Sequence, residues 1–216
     1  MNIHELRHLV KSGENETLEF KRKAAHPEKI IKEIVAFANT KGGKLLIGVD
    51  DNGSLTGLKC VNEEQYVVNE AIQKFIKPKI NFTLKVIPLN AKKSIISYDI
   101  RESENKPHYV IEDQTQSWGR AYVRVQDKTV KASKETREIL KRKNNKEKGI
   151  HFRFGKKEKI LMEHLEAHGY ITLLKFQQIA GLSRSLASRT LVKLVLANVL
   201  SIDIRETEDI FTAKLP

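Results

Sequence analysis

A stretch of 44 residues, 14–57, constrains the fold most tightly, because two strand patterns and a helix pattern follow one another there. Residues 17–21 alternate polar and apolar side chains, as in a strand with one buried face, and Arg22 ends the predicted strand. Residues 27–40 have the apolar spacing of an amphipathic helix that begins with proline. Residues 44–50 form an apolar run that ends in aspartate, and the Asp-Asn-Gly beyond it favours a tight turn. The stretch therefore predicts two strands joined by a helix.

A candidate site lies on these two strands. Glu19 and Lys21 share one face of the first strand, and Glu14 can reach the same place if the chain turns before it. If the second strand pairs beside the first, Asp50 or Asp51 joins them. Grouped carboxylates bind Mg²⁺ or Mn²⁺, and such a metal activates water for phosphodiester cleavage, with the lysine orienting the water. The alternative is that Glu19 and Lys21 form an exposed ion pair of little energetic worth.

The Gly42-Gly43 pair between helix and strand allows two interpretations. It ends the helix and turns the chain, or it offers backbone amides that a phosphate can approach. A Walker motif is not present, because Ala38 stands where its first glycine is needed and Leu45 where its hydroxyl is needed. An ATP-binding regulator is therefore an alternative that no motif supports.

The net charge of the chain indicates the class of molecule that it binds. The chain has 39 basic and 27 acidic residues, a net charge of +12 and a pI of about 9.6. Such an excess attracts polyanions, so nucleic acid is the expected partner. No apolar run approaches the roughly 20 residues that span a bilayer, and the N-terminus lacks a signal-peptide pattern. With a single cysteine, Cys60, no internal disulfide can form, and we expect a cytoplasmic protein without membrane contact.

Basic residues cluster at two places in residues 1–144. One cluster lies at the end of the first predicted strand and just after it, and the other lies on a predicted strand at 121–126 and on either side of it. A solvated strand edge would show the same pattern as a phosphate-binding surface. Trp118, in the polar segment 103–119, either packs or stacks on a base. The nucleic-acid candidates of this part are Lys21, Arg22, Lys23, Arg120, Arg124 and Lys128.

The C-terminal part has a different pattern. Helices are predicted at 156–168, 173–180 and 184–197, followed by strands at 201–205 and 210–214, an order typical of a winged helix. The third helix begins with polar side chains that can meet base edges, namely Arg184, Ser185, Ser188 and Arg189. Winged helices also bind proteins, and the acidic wing tip with Glu206, Glu208 and Asp209 would repel phosphate. Because helix-turn-helix proteins commonly read paired half-sites, a homodimer is a further hypothesis.

Several motifs together resemble the Schlafen AlbA-like domain over roughly residues 3–144. They are Glu14-x-x-x-x-Glu19-Phe20-Lys21, AFANT at 36–40, Gly42-Gly43, IGVDD at 47–51, Pro78, Pro107 and YVR at 122–124. The resemblance implies an α+β fold, a mixed sheet with packed helices, and nucleic-acid binding. In some animal Schlafens two glutamates and an aspartate form a metal-dependent ribonuclease site, which maps onto Glu14, Glu19 and Asp50, with Asp51 as the other candidate.

The sequence thus predicts an α+β protein of two domains, at 1–144 and 156–216, joined by a basic linker at 145–155. The predicted function is nucleic-acid binding, as a DNA-binding transcriptional regulator. One alternative is a metal-dependent endoribonuclease that uses Glu14, Glu19, Lys21 and Asp50 with Mg²⁺ or Mn²⁺. The other is an ATP-binding regulator, a label given to many bacterial relatives of the Schlafen family.

Overall fold

A computed structural model of the chain describes residues 1–113, 115, 119–143 and 154–214. Trp118 and most of the predicted linker lie outside these residues. The chain divides into two compact units, Met1–Lys131 and Ala132–Pro216. The α+β class is confirmed. The sequence placed a domain boundary after residue 144, whereas the structure assigns the helix before that point to the second unit.

The first unit is built on a four-stranded mixed sheet with the order β1-β2-β5-β4. β1 and β2 are parallel because helix α2 crosses between them, and the other two pairs are antiparallel. Two small two-stranded sheets, β3-β6 and β7-β8, complete the unit. Its elements are α1 (Ile3–Val10), β1 (Leu18–Lys21), α2 (Pro27–Asn39), β2 (Gly43–Ile47), α3 (Val61–Phe75), β3 (Ile76–Lys77), β4 (Phe82–Asn90), β5 (Lys93–Ile100), β6 (Tyr109–Val110), β7 (Tyr122–Val125) and β8 (Lys128–Lys131).

The predicted pairing of the first two strands is present, with Glu19 opposite Leu45. β2 ends at Ile47, three residues earlier than the sequence suggested. The reason is Gly48, whose φ of +102° lies in a region that side chains with a Cβ rarely adopt. The aspartates after β2 therefore lie on a turn rather than on the strand.

Helix α2 fills the centre of the first unit. Its residues from Ile34 to Ala38 are buried, and they form one core with β2, β5 and α3. A second core forms on α1 and includes Leu6, Phe20 and Ile95. The hairpin of β7 and β8 packs against α2, and the sequence missed β8 because only Val130 of its four residues is buried.

The second unit contains four helices and a three-stranded antiparallel sheet with the order β10-β11-β9, among the residues described. Thr172 and Ser183 cap α6 and α7 through their side chains. The core combines Ile139 of α4 with residues of the later helices and strands. The elements are α4 (Lys134–Lys143), α5 (Lys156–His168), β9 (Ile171–Thr172), α6 (Leu173–Ala180), α7 (Arg184–Leu196), β10 (Leu200–Asp203) and β11 (Ile210–Ala213).

Two polar contacts fix α4 inside the second unit. The buried carboxylate of Asp209 accepts hydrogen bonds from Ser133 and, at 2.9 Å, from Thr136 at the start of α4. The buried Glu135 of α4 accepts a hydrogen bond from Ser188 of α7. Asp209 is therefore part of the packing of this unit and is not an exposed residue of the wing tip.

None of the helices described is both long and apolar enough to cross a membrane.

Candidate nucleic-acid interface

Arg124 lies at the centre of a buried charge network in the first unit. Its side chain has no exposed surface, and its Nη1 lies 2.9 Å from Glu19 Oε2 and 2.7 Å from Glu33 Oε2. Its Nη2 donates to the backbone oxygen of Asn15 at 2.8 Å, and the guanidinium carbon lies 4.9 Å from the ring centroid of Phe37. The prediction that Arg124 contacts a phosphate is therefore wrong, because its guanidinium is buried and forms ion pairs with Glu19 and Glu33.

The same network contains the predicted catalytic pair. Glu19 is 5% exposed, and its second carboxylate oxygen forms an ion pair with Lys21. Glu19 therefore shares its charge between Lys21 and Arg124 and is not the exposed, weakly paired group that the alternative interpretation assumed. A buried ion pair is costly to break, since either charge left alone would have lost its water without compensation.

Glu33 of α2 is a member that sequence reasoning missed. It accepts hydrogen bonds from Arg124 and Thr129, so it links α2 to the hairpin of β7 and β8. Burial raises the pKa of Glu33 above its ordinary value of 4.5, and the neighbouring Glu19 raises it further against the opposing effects of Thr129, Arg124 and Lys21. On an amphipathic helix a glutamate is normally solvent-facing, so the sequence carried no local signal of this role.

Glu14 approaches the network from the turn before β1. Its Oε1 accepts the backbone hydrogen bond of Phe20 at 2.8 Å. Burial raises the pKa of Glu14, the Phe20 hydrogen bond opposes the rise, and the charges of Glu19 and Asp51 add to it while Lys21 opposes it. Glu14 is thus close enough to interact electrostatically with the other predicted site residues. Its carboxylate, however, is hydrogen-bonded to the backbone of β1.

The predicted metal cluster of Glu14, Glu19, Asp50 and Asp51 is not formed. Across residues 1–113, 115, 119–143 and 154–214, no three acidic, histidine or cysteine side chains are gathered so as to hold a metal ion. Asp50 Oδ1 instead lies 3.5 Å from Arg22 Nε, and Asp51 is exposed on the turn. Mg²⁺ and Mn²⁺ need several oxygen ligands around one point, so these residues do not fit the metal that the family resemblance implied.

In the Gly42-Gly43 turn, Gly42 is buried where two backbone segments meet. A Cβ on Gly42 would lie 2.7 Å from the backbone oxygen of Ile100 and 2.8 Å from the backbone nitrogen of Glu102. Its own amide donates to Phe37 O at 2.9 Å, which ends α2. The glycine therefore allows two backbone segments to touch, and the interpretation as a helix stop and turn agrees with this geometry.

The other basic candidates of the first unit lie on its surface. Arg22 and Lys23 are exposed directly after β1, whereas Lys21 is half-buried against Glu19. Arg120 is exposed and lies 3.2 Å from Glu112, and Lys128 is exposed at the start of β8. Because Arg124 is buried, the strand does not present two arginines together as the alternation had suggested.

On α7 the predicted residues separate into two groups. Ser188 is 5% exposed and bonded to Glu135, so the prediction that it meets a base edge is wrong. Arg184, Ser185 and Arg189 are exposed, and Arg189 Nε donates to the backbone oxygen of Ser185 at 3.3 Å. Lys193, which the sequence reasoning had not selected, is exposed one turn beyond Arg189. Its position four residues after Arg189, and eight after Ser185, was the available signal in the sequence.

The chain is similar to one protein family and to one solved structure. The family model described as Schlafen, AlbA_2 matches residues 14–133, which include the charge network and the exposed bases of the first unit. A crystal structure of the DIP2311 protein from Corynebacterium diphtheriae is 14% identical with a TM-score of 0.42, over 92% of this chain and 34% of that one. The chain thus spans about a third of the length of that protein, and at this TM-score the likeness carries no argument.

Proposed function

This chain belongs to the Schlafen AlbA_2 family, and on that premise we propose that it is a nucleic-acid-binding protein whose second unit reads double-stranded DNA as a transcriptional regulator. Family membership is compatible with nucleic-acid binding, and the net charge of +12 favours a polyanionic partner. Cys60 is exposed and unpaired, which supports the cytoplasm as the place of action.

The observation that carries the proposal is the exposed face of α7. Ser185, Arg189 and Lys193 follow one another at intervals of four residues and therefore share one face of the helix. Within the described part of the chain, neither Arg189 nor Lys193 has a carboxylate partner, so both charges are available to an anion. A narrow face of one hydroxyl and two cations suits phosphates and base edges in a major groove.

The order of elements in the second unit supports a winged helix. α7 is the second helix of a helix–turn–helix formed with α6, and the turn contains Gly181, a left-handed C-cap. β10 and β11 form a hairpin beside β9, as the wing of such a domain does. In this arrangement α7 is the helix that enters the groove, and it would do so with the face opposite the core.

The test measures binding of the full-length protein to mixed-sequence duplex DNA by fluorescence anisotropy at several salt concentrations. Arg189→Gln should lower the affinity by about tenfold and reduce the salt slope by about one. Lys156→Gln, which removes an exposed cation at the start of α5, is the matched control and should change the affinity little. Equal affinities of the wild type and Arg189→Gln for DNA would contradict the role of α7.

The same samples address the alternative activity. Labelled RNA and DNA incubated with the protein and Mn²⁺ should remain intact on denaturing gels, because the carboxylates of the first unit are committed to ion pairs and backbone contacts. Cleavage that Glu19→Gln abolishes, in a variant that still folds, would instead favour a nuclease.

Homodimer formation is part of the proposal, since paired half-sites are read by paired helices. Analytical ultracentrifugation with and without duplex DNA tests it. A monomer under both conditions would remove the dimer from the proposal without affecting the role of α7.

A further inference from the structure

A cavity of about 350 Å³ opens in the first unit at the start of α2 and the end of α3. Its walls are apolar and include the buried Ile31 and Ile111 and the half-buried Phe75. Backbone hydrogen bonds of 2.9 and 2.8 Å between Val110 and Arg120 hold the outer wall. Ligand pockets range from about 300 to 1,000 Å³, so this cavity has room for one small group rather than an extended molecule.

A lysine that forms no ion pair among the described residues lies beside this apolar space. Lys32 Nζ is 5.9 Å from the ring centroid of Tyr122, and both residues line the cavity. Lys32 has no carboxylate partner in the described residues. A flat apolar group that carries a neighbouring negative charge would satisfy both features at once, with the group in the cavity and the charge at Lys32.

The rim adds a donor and an acceptor. Arg120 Nη2 lies 3.2 Å from Glu112 Oε1, and both side chains are mostly exposed. The guanidinium can turn toward a phosphate oxygen, and the carboxylate can accept a hydrogen bond from an exocyclic amine. A second acidic residue of the rim, Glu28, lies 3.2 Å from His26.

We infer that this cavity takes one unpaired nucleobase of a nucleic-acid strand, with the adjoining phosphate at Lys32 and Arg120. A nucleobase has flat apolar faces, polar edges and an anion attached at a fixed distance, which are the features that the cavity and its rim match. The inference rests on the proposed function and extends it, because it assigns the first unit a preference for unpaired nucleotides.

The charge of the rim favours a strand over a free nucleotide. The lining holds two cations, Lys32 and Arg120, and two carboxylates, Glu28 and Glu112, so it has no large excess of positive charge to offer an anion. A phosphodiester carries a single negative charge, whereas a terminal phosphate carries about −1.5 to −2 at neutral pH. The charges of the rim therefore match the single negative charge of a nucleotide within a chain better than that of a free nucleotide.

The test compares binding of the full-length protein to short single-stranded DNA, single-stranded RNA and blunt duplex DNA. Ala71→Leu fills the cavity from α3, and Lys32→Gln removes the cation. Each should lower single-strand affinity by about tenfold and leave duplex affinity unchanged. Lys92→Gln is the matched control, because this exposed residue of the β4–β5 turn does not line the cavity. Thermal melting checks the fold of Ala71→Leu, and Lys32→Gln carries the test if that variant fails to fold.

The outcomes separate the two proposals. If the wild type binds single strands and Lys32→Gln and Ala71→Leu bind them equally well, the inference is overturned while the proposed function stands. A wild type that binds no nucleic acid overturns the proposed function. Titration with AMP then tests whether the cavity binds a free nucleotide. AMP binding that Lys32→Gln abolishes would assign it to a free nucleotide, and no AMP binding would overturn the inference as well.

Discussion

Arg124 Nη1 donates a hydrogen bond of 2.9 Å to Glu19 Oε2 across 105 positions of sequence, with both side chains buried. The contact joins the first strand of the sheet to the hairpin of β7 and β8. It also changes the interpretation of Glu19, which the sequence presented as a catalytic carboxylate. In the folded unit its charge balances an arginine and a lysine, and its contribution is to stability.

Loss of Arg124 should destabilise the first unit strongly. Arg124→Met leaves two buried carboxylates, Glu19 and Glu33, without their shared partner, at a cost of about 3–5 kcal/mol. Urea unfolding followed by hydrogen exchange of peptides from β1, α2 and β7 measures this unit. Arg120→Met, which removes an exposed pair, should cost at most about 1 kcal/mol. Similar midpoints for the two variants would contradict the buried network.

Stability of the first unit should depend on pH through Glu33. Because the folded pKa of Glu33 is raised above 4.5, the folded state binds its proton more tightly than the unfolded state does. Its contribution to stability is therefore fully present below pH 4.5 and is lost as pH rises through the raised pKa. Glu33→Gln mimics the protonated form, so its stability relative to the wild type should improve as pH rises toward neutrality.

The measurement is a series of urea midpoints for the wild type and Glu33→Gln from acidic to neutral pH. Glu28→Gln is the control, because the pKa of the exposed Glu28 is lowered, first by a hydrogen bond from its own backbone, and its dependence has the opposite sign. A difference between Glu33→Gln and the wild type that stays constant with pH would show that Glu33 ionises as it does in the unfolded chain.

Replacing each of two serines of α7 by alanine should change the stability of the second unit by different amounts. Ser188→Ala leaves the buried carboxylate of Glu135 without its hydrogen-bond donor, at a cost of about 1–3 kcal/mol to the second unit. Ser185→Ala, at an exposed position, should change stability by at most about 0.5 kcal/mol. Hydrogen exchange of peptides from α4 and α7 measures the effect of each variant. Unchanged protection of α4 in Ser188→Ala would contradict the contact.

Asp209 should hold the start of α4. Asp209→Ala removes the acceptor of the Ser133 and Thr136 hydroxyls, so the amides of α4 should exchange faster. Glu208→Ala is the matched control, because its side chain is exposed. If both variants protect α4 as well as the wild type does, the helix is held by its apolar contacts alone.

Much of the fold could be read from local patterns. The strand–helix–strand order of residues 14–57 and the helices of the second unit follow from periodicity, proline and caps. The sequence suggested that the two strands are neighbours, and the structure shows that they pair in parallel. β8 was missed because a four-residue strand with one buried side chain has no distinct period. The end of β2 was placed too late because the positive φ of Gly48 does not show in an apolar run.

The candidate site was harder to predict because the role of each side chain depends on partners that are distant in the sequence. The sequence by itself determined that Glu19 and Lys21 share one face of a strand, since side chains alternate along it, and it left the approach of Glu14 conditional on a turn. Only the tertiary structure decided that Arg124 turns inward to Glu19 and Glu33, and that Ser188 faces α4. A buried charge needs a partner wherever the chain can supply one, and that choice is made by packing and not by spacing along the sequence.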